Sequence, residues 1–283
     1  QDKQNALSNN FSSFFQYANA AGVDYQLGVT TTDVDDQYCP GFGLPCTGPG
    51  PKGKLVGTAT NPKVLTRSTP NVNQLYAQKV NVGTNGSPAE KGLEAAELAL
   101  TPPLITTENL GFLRQDANLA VVVVSDAVDQ SPQPATYYLN RLLNVKGFNK
   151  ANMFTFNIIG PYLPGGPSGS CSYDDPNQGV DTRYAFMAAQ TSGVKAEICN
   201  TNWSTTLQNL GKTAFGYRSS FYLNGSPDPS RASTIKVTLD GVDVPAGAGA
   251  WAYNPVSNAI EFNTSNPPQP GQSLTVTYYT ACF

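Results

Sequence analysis

Leu119-Ala120-Val121-Val122-Val123-Val124 is apolar at every position and β-branched over its last four residues. A strand with one solvated face alternates apolar and polar residues. An unbroken run of this length instead suits a strand buried on both faces of a parallel sheet. The run is therefore expected at the centre of such a sheet, with helices covering both sides. The residues around it agree. Upstream, Ser87-Pro-Ala-Glu90 reads as a helix start, with Ser87 as cap, Pro88 in the first turn and Glu90 closing a capping box; Leu93, Ala96 and Leu100 share a face of the helix that follows. Downstream come a helix at 135–145, a strand at 153–159, a Gly/Pro-rich loop at 160–179, a helix at 183–190, a strand at 194–198 and a helix at 203–213. This β-α-β-α alternation predicts an α/β fold, a doubly wound, mostly parallel sheet over residues 1–215.

Further out, Leu7, Phe11, Phe14, Phe15 and Ala18 lie on one face of an amphipathic helix spanning Asp2 to Ala21. Tyr25 to Thr31 reads as a strand, 33–69 as a long loop with short extended pieces, and 72–78 as a short helix. From about Gly216 only short strands are expected, at 219–223, 235–239, 250–253, 259–262 and 274–279, separated by Asn-Gly, Asp-Gly and Pro-Gly turns. Residues 216–283 are thus read as a small all-β, sandwich-like C-terminal module. With 283 residues, both parts are large enough to bury a core.

Charge narrows the partners. Lys and Arg number 17 against 20 Asp and Glu, a net charge of −3, so no positive field gathers phosphate or anionic lipid; nucleic acid and direct membrane insertion are not expected. No run approaches the roughly 18 apolar residues of a membrane-spanning helix. Polar surface drawn from Asn, Gln, Ser and Thr, together with five cysteines, points to a secreted or cell-surface protein. Cys39 and Cys46 bracket a Gly/Pro-rich loop that a cross-link would order; Cys171 and Cys199 are the expected second pair, and Cys282 is left over. Reduced thiols are the alternative, and no spacing matches a zinc ligand set.

The sequence has no histidine, which excludes Ser-His-Asp and Cys-His catalysis and His-ligated zinc. No phosphate-binding glycine loop occurs, and no pair of carboxylates is placed across a cleft by spacing alone. Asp33, Asp35 and Asp36 suit a solvated acidic turn better than a calcium site, Asp126 and Asp129 form a further oxygen-rich group, and Asp174 and Asp175 read as turn formers. Trp203, Trp251 and the 14 tyrosines are better placed in cores and strand pairs than on a carbohydrate-binding face, so carbohydrate is the less favoured ligand. Binding is expected, not catalysis.

Four segments carry a resemblance: the helix opening Gln1-Asp-Lys-Gln-Asn-Ala-Leu7, the strand Tyr25-Gln-Leu-Gly-Val-Thr-Thr-Thr-Asp33, Gly83-Thr84, and Val121-Val-Val-Val-Ser-Asp126. Together they resemble the von Willebrand factor A-type domain, in the version found on exported bacterial proteins, over residues 1 to about 211. The resemblance implies a divalent cation at the carboxyl ends of the strands, held by an Asp-x-Ser-x-Ser motif, a loop Thr and a loop Asp. Thr84 and Asp126 match the last two positions. Taken alone, an Asp after a strand caps or closes a turn as readily as it binds a metal.

The Asp-x-Ser-x-Ser motif and the first strand that bears it are missing from this chain, so Mg²⁺ or Ca²⁺ is expected only if that segment is supplied. An absent first strand also leaves a slot in the sheet between Tyr25–Thr31 and Leu119–Val124. It is expected to be filled by residues upstream of Gln1, by another chain, or by a rearranged sheet. The functional expectation is an extracellular or cell-surface adhesion or assembly protein binding a protein ligand. The alternative is a structural subunit of a fibre or coat completed by a neighbouring subunit's strand.

Overall fold

A computed structural model describes residues 2–20, 23–36, 50–84, 86–115, 117–147, 153–160, 182–199, 202–215, 220–247, 249–256, 258–263, 266–269 and 272–280. Of the expected disulfides, Cys39–Cys46 and the Cys171 end of the second pair lie outside these residues, as do Asp174, Asp175 and Cys282. Cys199 is disulfide-bonded. The chain divides into two compact units, Gln1–Gln16 with Asp24–Ala214 and Tyr17–Val23 with Phe215–Phe283.

The first unit is built on helices and a parallel sheet. Helix α1 spans Asp2–Ala20, and Leu7, Phe11, Phe14 and Phe15 are buried along one face of it, as their spacing requires. Short strands β1 (Gln26–Leu27) and β2 (Leu65–Thr66) pair antiparallel. Helices α2 (Val72–Val80) and α3 (Gly92–Leu100) follow, then β3 (Leu119–Val124), α4 (Ala135–Asn144), β4 (Phe154–Gly160), α5 (Thr182–Gln190), β5 (Lys195–Glu197) and α6 (Trp203–Phe215). Strands β3, β4 and β5 form a parallel sheet in that order, with Leu119 opposite Phe154 and Val124 opposite Ile159. Leu93, Tyr138, Leu142, Phe154, Phe156 and Met187, from α3, α4, β4 and α5, centre one core.

Two expectations are corrected here. The central strand of this sheet is β4, whose side chains are buried at all positions but Thr155, and not Leu119–Val124. Among the described residues β3 pairs only with β4; Val121, Val122 and Val124 are half-buried, Leu119 and Val123 are buried in the core, and Val121 packs against it. Likewise Tyr25–Thr31 is not a strand of the parallel sheet. Its two ladder residues face Leu65 and Thr66.

In the second unit, β6 (Ser220–Tyr222), β10 (Ala259–Phe262) and β9 (Trp251–Asn254) form one antiparallel sheet, and β11 (Leu274–Thr277), β7 (Lys236–Leu239) and β8 (Val242–Val244) another. Val237, Trp251, Ile260 and Phe262, drawn from both sheets, share one core. The turn Asp240-Gly241, with φ of 51° and 80°, has the left-handed backbone of a two-residue hairpin, and it closes β7 onto β8. Val242–Val244 is a strand that polarity hides, since Val242 and Asp243 are exposed.

Candidate functional site

The carboxyl end of β3 gathers most of the polar side chains that the sequence singles out. Ser125 ends the strand, its buried hydroxyl accepting from Ala127 N at 3.1 Å and so turning the chain. Asp126 emerges exposed from this turn. Asp129 does the opposite. Its buried carboxylate accepts from Leu93 N (3.1 Å) and from Ser131 Oγ (2.8 Å), and pairs with Arg183 Nε at 3.0 Å. With Tyr184 OH accepting from Gly92 N and Ser131 Oγ from Glu94 N, three successive N–H groups at the start of α3 are satisfied by side chains from distant segments. Helix starts leave such donors without intrahelical partners, and this one is closed by tertiary contacts.

That closure displaces the expected capping box. Helix α3 begins at Gly92, not near Ser87, because the stretch before it is drawn elsewhere. Ser87 N donates to Asp33 Oδ2 (3.1 Å), Ser87 Oγ to Asp35 Oδ2 (2.5 Å), and Lys91 Nζ pairs with Asp35 Oδ1 (2.5 Å). Lys91 hydrogen-bonding, then that of Ser87, holds the Asp35 carboxyl below its ordinary value. Asp33 Oδ1 also accepts from Asp35 N, and Asp36 pairs with Lys52. The acidic turn therefore ties three loops together through protein partners, and of its three carboxylates only Asp36 is exposed, so it is not the fully solvated turn expected.

Glu90 is the residue that local pattern misassigns. Thr32 Oγ1 donates to its carboxylate, Lys91 N donates to Thr32 O (3.1 Å), and Gln130 N donates to Glu90 O (2.7 Å). Burial pushes the Glu90 carboxyl up, the Thr32 hydroxyl opposes this, and the neighbouring charges of Asp126 and Asp33 push the same way as burial. Thus Glu90 lies within electrostatic reach of carboxylates from two other loops, Asp33 and Asp126, and Asp126 is the exposed one of the three. Only the three-dimensional approach of loops 32–36, 86–91 and 125–131 shows this. No local signal marks Glu90 except as a helix cap.

Thr84 is placed differently. It is exposed, next to Gly83, whose N–H and C=O are both held by the Gln4 carboxamide (3.1 and 2.8 Å). Among the described residues neither the Thr84 nor the Asp126 side chain makes a hydrogen bond or ion pair, so none joins the two. A divalent cation held by oxygen takes six or more ligands, and no group of three Asp, Glu, His or Cys side chains among the described residues is placed to hold one. These residues by themselves do not fit a metal ion. What they offer is an accessible carboxylate, Asp126, within electrostatic reach of a second, part-buried one, Glu90. Compared with protein-family profiles, with curated proteins and with solved structures, the chain finds no match in any of the three.

Proposed function

We propose that this chain is a secreted or cell-surface adhesion or assembly protein that engages a protein ligand at the carboxyl end of its parallel sheet, in a doubly wound domain of the von Willebrand factor A type. The observation that carries this reading is the exposed carboxylate of Asp126, without a hydrogen-bond or ion-pair partner among the described residues and within electrostatic reach of part-buried Glu90, at the strand end where open α/β sheets bind their ligands. Such a pair attracts a Lys or Arg of a partner and repels an acidic one. The absence of histidine favours binding over catalysis, and the disulfide at Cys199 supports an oxidising compartment. Mg²⁺ or Ca²⁺ enters this reading only with the Asp-x-Ser-x-Ser ligands supplied.

Beads coated with the full chain should adhere to immobilised surface protein of the producing cells, unaffected by chelator. Asp126→Ala, at an exposed position, should weaken adhesion about tenfold, the scale of one lost charge contact, while leaving the melting temperature unchanged. Equal adhesion by the variant sinks the reading. A second reading, a subunit of an extracellular fibre or coat, has in its favour that β3 pairs on one side only among the described residues. Polymeric material from the purified chain would mark it.

A further inference from the structure

In an antiparallel ladder successive residues aim their N–H and C=O groups to opposite sides of the strand. Asp240 N donates to Ser273 O (2.8 Å) and Asp228 N to Tyr279 O (2.8 Å), while Thr275 lies opposite Thr238 and Thr277 opposite Lys236, so the odd-numbered residues of β11 face β7. Leu274, Val276 and Tyr278 aim their backbone groups the other way. Among the described residues nothing bonds to those groups.

The other edges of the two small sheets are guarded. On β8, Val242 and Val244 pair with Leu239 and Val237, which leaves Asp243, charged and exposed, as the strand residue that faces outward. On β9 the outward carbonyl of Trp251 is taken by Gly247 N (2.9 Å). Strand β6 is only three residues long. Charge, capping and shortness are the usual protections of an edge, and β11 has none of them, since no charged residue lies between Gln272 and Thr280.

The edge of β11 is complementary to itself. Set a second β11 antiparallel to the first, with Val276 opposite Val276 and Leu274 opposite Tyr278, and every outward N–H of one copy meets an outward C=O of the other; a slip of one residue would bring inward-facing groups to the join. On the exposed face Thr275 then lies opposite Thr277, a favourable cross-strand pair. On the other face Leu274, Val276 and Tyr278 are half-buried against the core of Val237, Trp251, Ile260 and Phe262, and a second copy would cover them further. Charge sets the direction. Asp240 accepts from Ser273 N (2.8 Å) at one end of β11, and the Arg231 guanidinium lies 4.8 Å from the centre of the Tyr279 ring at the other. Antiparallel copies bring the acidic end of each toward the basic end of its partner, whereas parallel copies set like beside like.

We propose that the free edge of β11 is a self-association surface, on which a second copy of this chain pairs strand to strand and antiparallel, continuing the sheet β11-β7-β8 into its counterpart. Such a contact uses the same patch on both copies and closes on itself, so it gives a dimer and not a fibre. It stands apart from the ligand reading at Asp126.

Sedimentation of the full chain over about a hundredfold range of concentration should show monomer passing to dimer and no further, because an edge of this length makes an interface at the small end of the stable range. In the dimer the amides of Leu274, Val276 and Tyr278 should exchange about tenfold slower than in dilute protein, while those of Thr275 and Thr277, already bonded to β7, change little. Thr275→Lys with Thr277→Lys, at exposed positions, sets like charges opposite each other and should weaken dimerisation about tenfold, as should Thr275→Glu with Thr277→Glu; mixing the two variants should restore it, which misfolded variants would not do. Monomer at every concentration overturns the proposal, whether or not a foreign peptide protects the strand. So does a dimer that the lysine variant leaves intact, or a mixture that stays monomeric. Polymer in place of dimer overturns it too, and favours the fibre reading.

Discussion

Glu90 lies in Ser87-Pro-Ala-Glu90, a stretch that in isolation has every feature of a helix start. In the folded chain Ser87 is taken by Asp33 and Asp35, and Glu90 by Thr32, because two acidic side chains and a hydroxyl from another loop offer stronger partners than the backbone of the same turn. The consequence is a carboxyl raised above its ordinary value of 4.5 by burial and by the charges of Asp126 and Asp33. A carboxyl raised on folding stabilises the fold below its unfolded value, and that contribution is lost as pH rises through the folded one. Glu90→Gln keeps an acceptor for Thr32 and removes the charge. It should therefore melt higher than the unsubstituted protein at about pH 7, with the difference gone by about pH 4. Asp35, lowered by Lys91 and Ser87, acts in the opposite sense but equally in both proteins, so it cancels in the comparison. A pH-independent difference would show that the Glu90 charge is not at issue.

At the scale of elements, the start of α3 is held from outside. Asp129 accepts from Leu93 N and faces Arg183, with its side chain fully buried, so Asp129→Ala strands both a helix donor and a guanidinium. Breaking a buried, hydrogen-bonded pair in this way costs about 3 kcal/mol or more, beyond the roughly 1 kcal/mol of a lost cap. Denaturant unfolding should show a loss of that size for Asp129→Ala and a smaller one for Asp129→Asn, which keeps the cap acceptor. Asp126→Ala, three residues away but exposed, should stay within about 0.5 kcal/mol. A neutral Asp129→Ala would mean that α3 carries its own start. Sequence placed Asp126 and Asp129 in one oxygen-rich group. Burial separates them into an outward carboxylate and a structural one.

At the scale of the whole molecule, each unit has its own core and one tryptophan, Trp203 in the first and Trp251 in the second, both buried. With Trp203→Phe and Trp251→Phe reporting one unit apiece, fluorescence melts should give two distinct midpoints. Superimposable curves would show one cooperative structure.

Much of this architecture follows from short-range pattern. The apolar face of α1, the helices around Tyr138 and Met187, the run Leu119–Val124 and the Asp240-Gly241 turn depend on spacings of two to four residues and on backbone preferences of single residues, so they are legible before folding. Which strand lies at the centre is not. An apolar β-branched run states that a strand forms, whereas its neighbours depend on segments far away in sequence. Here, among the described residues, β4 receives partners on both sides and β3 on one. The same holds for the candidate site. Asp126 was visible at the end of its strand, and Thr84 was visible beside Gly83. That Asp126 and Asp33 both come within electrostatic reach of Glu90 was decided by the packing of three loops, because hydrogen bonds and charge interactions act through space and leave no period in the chain.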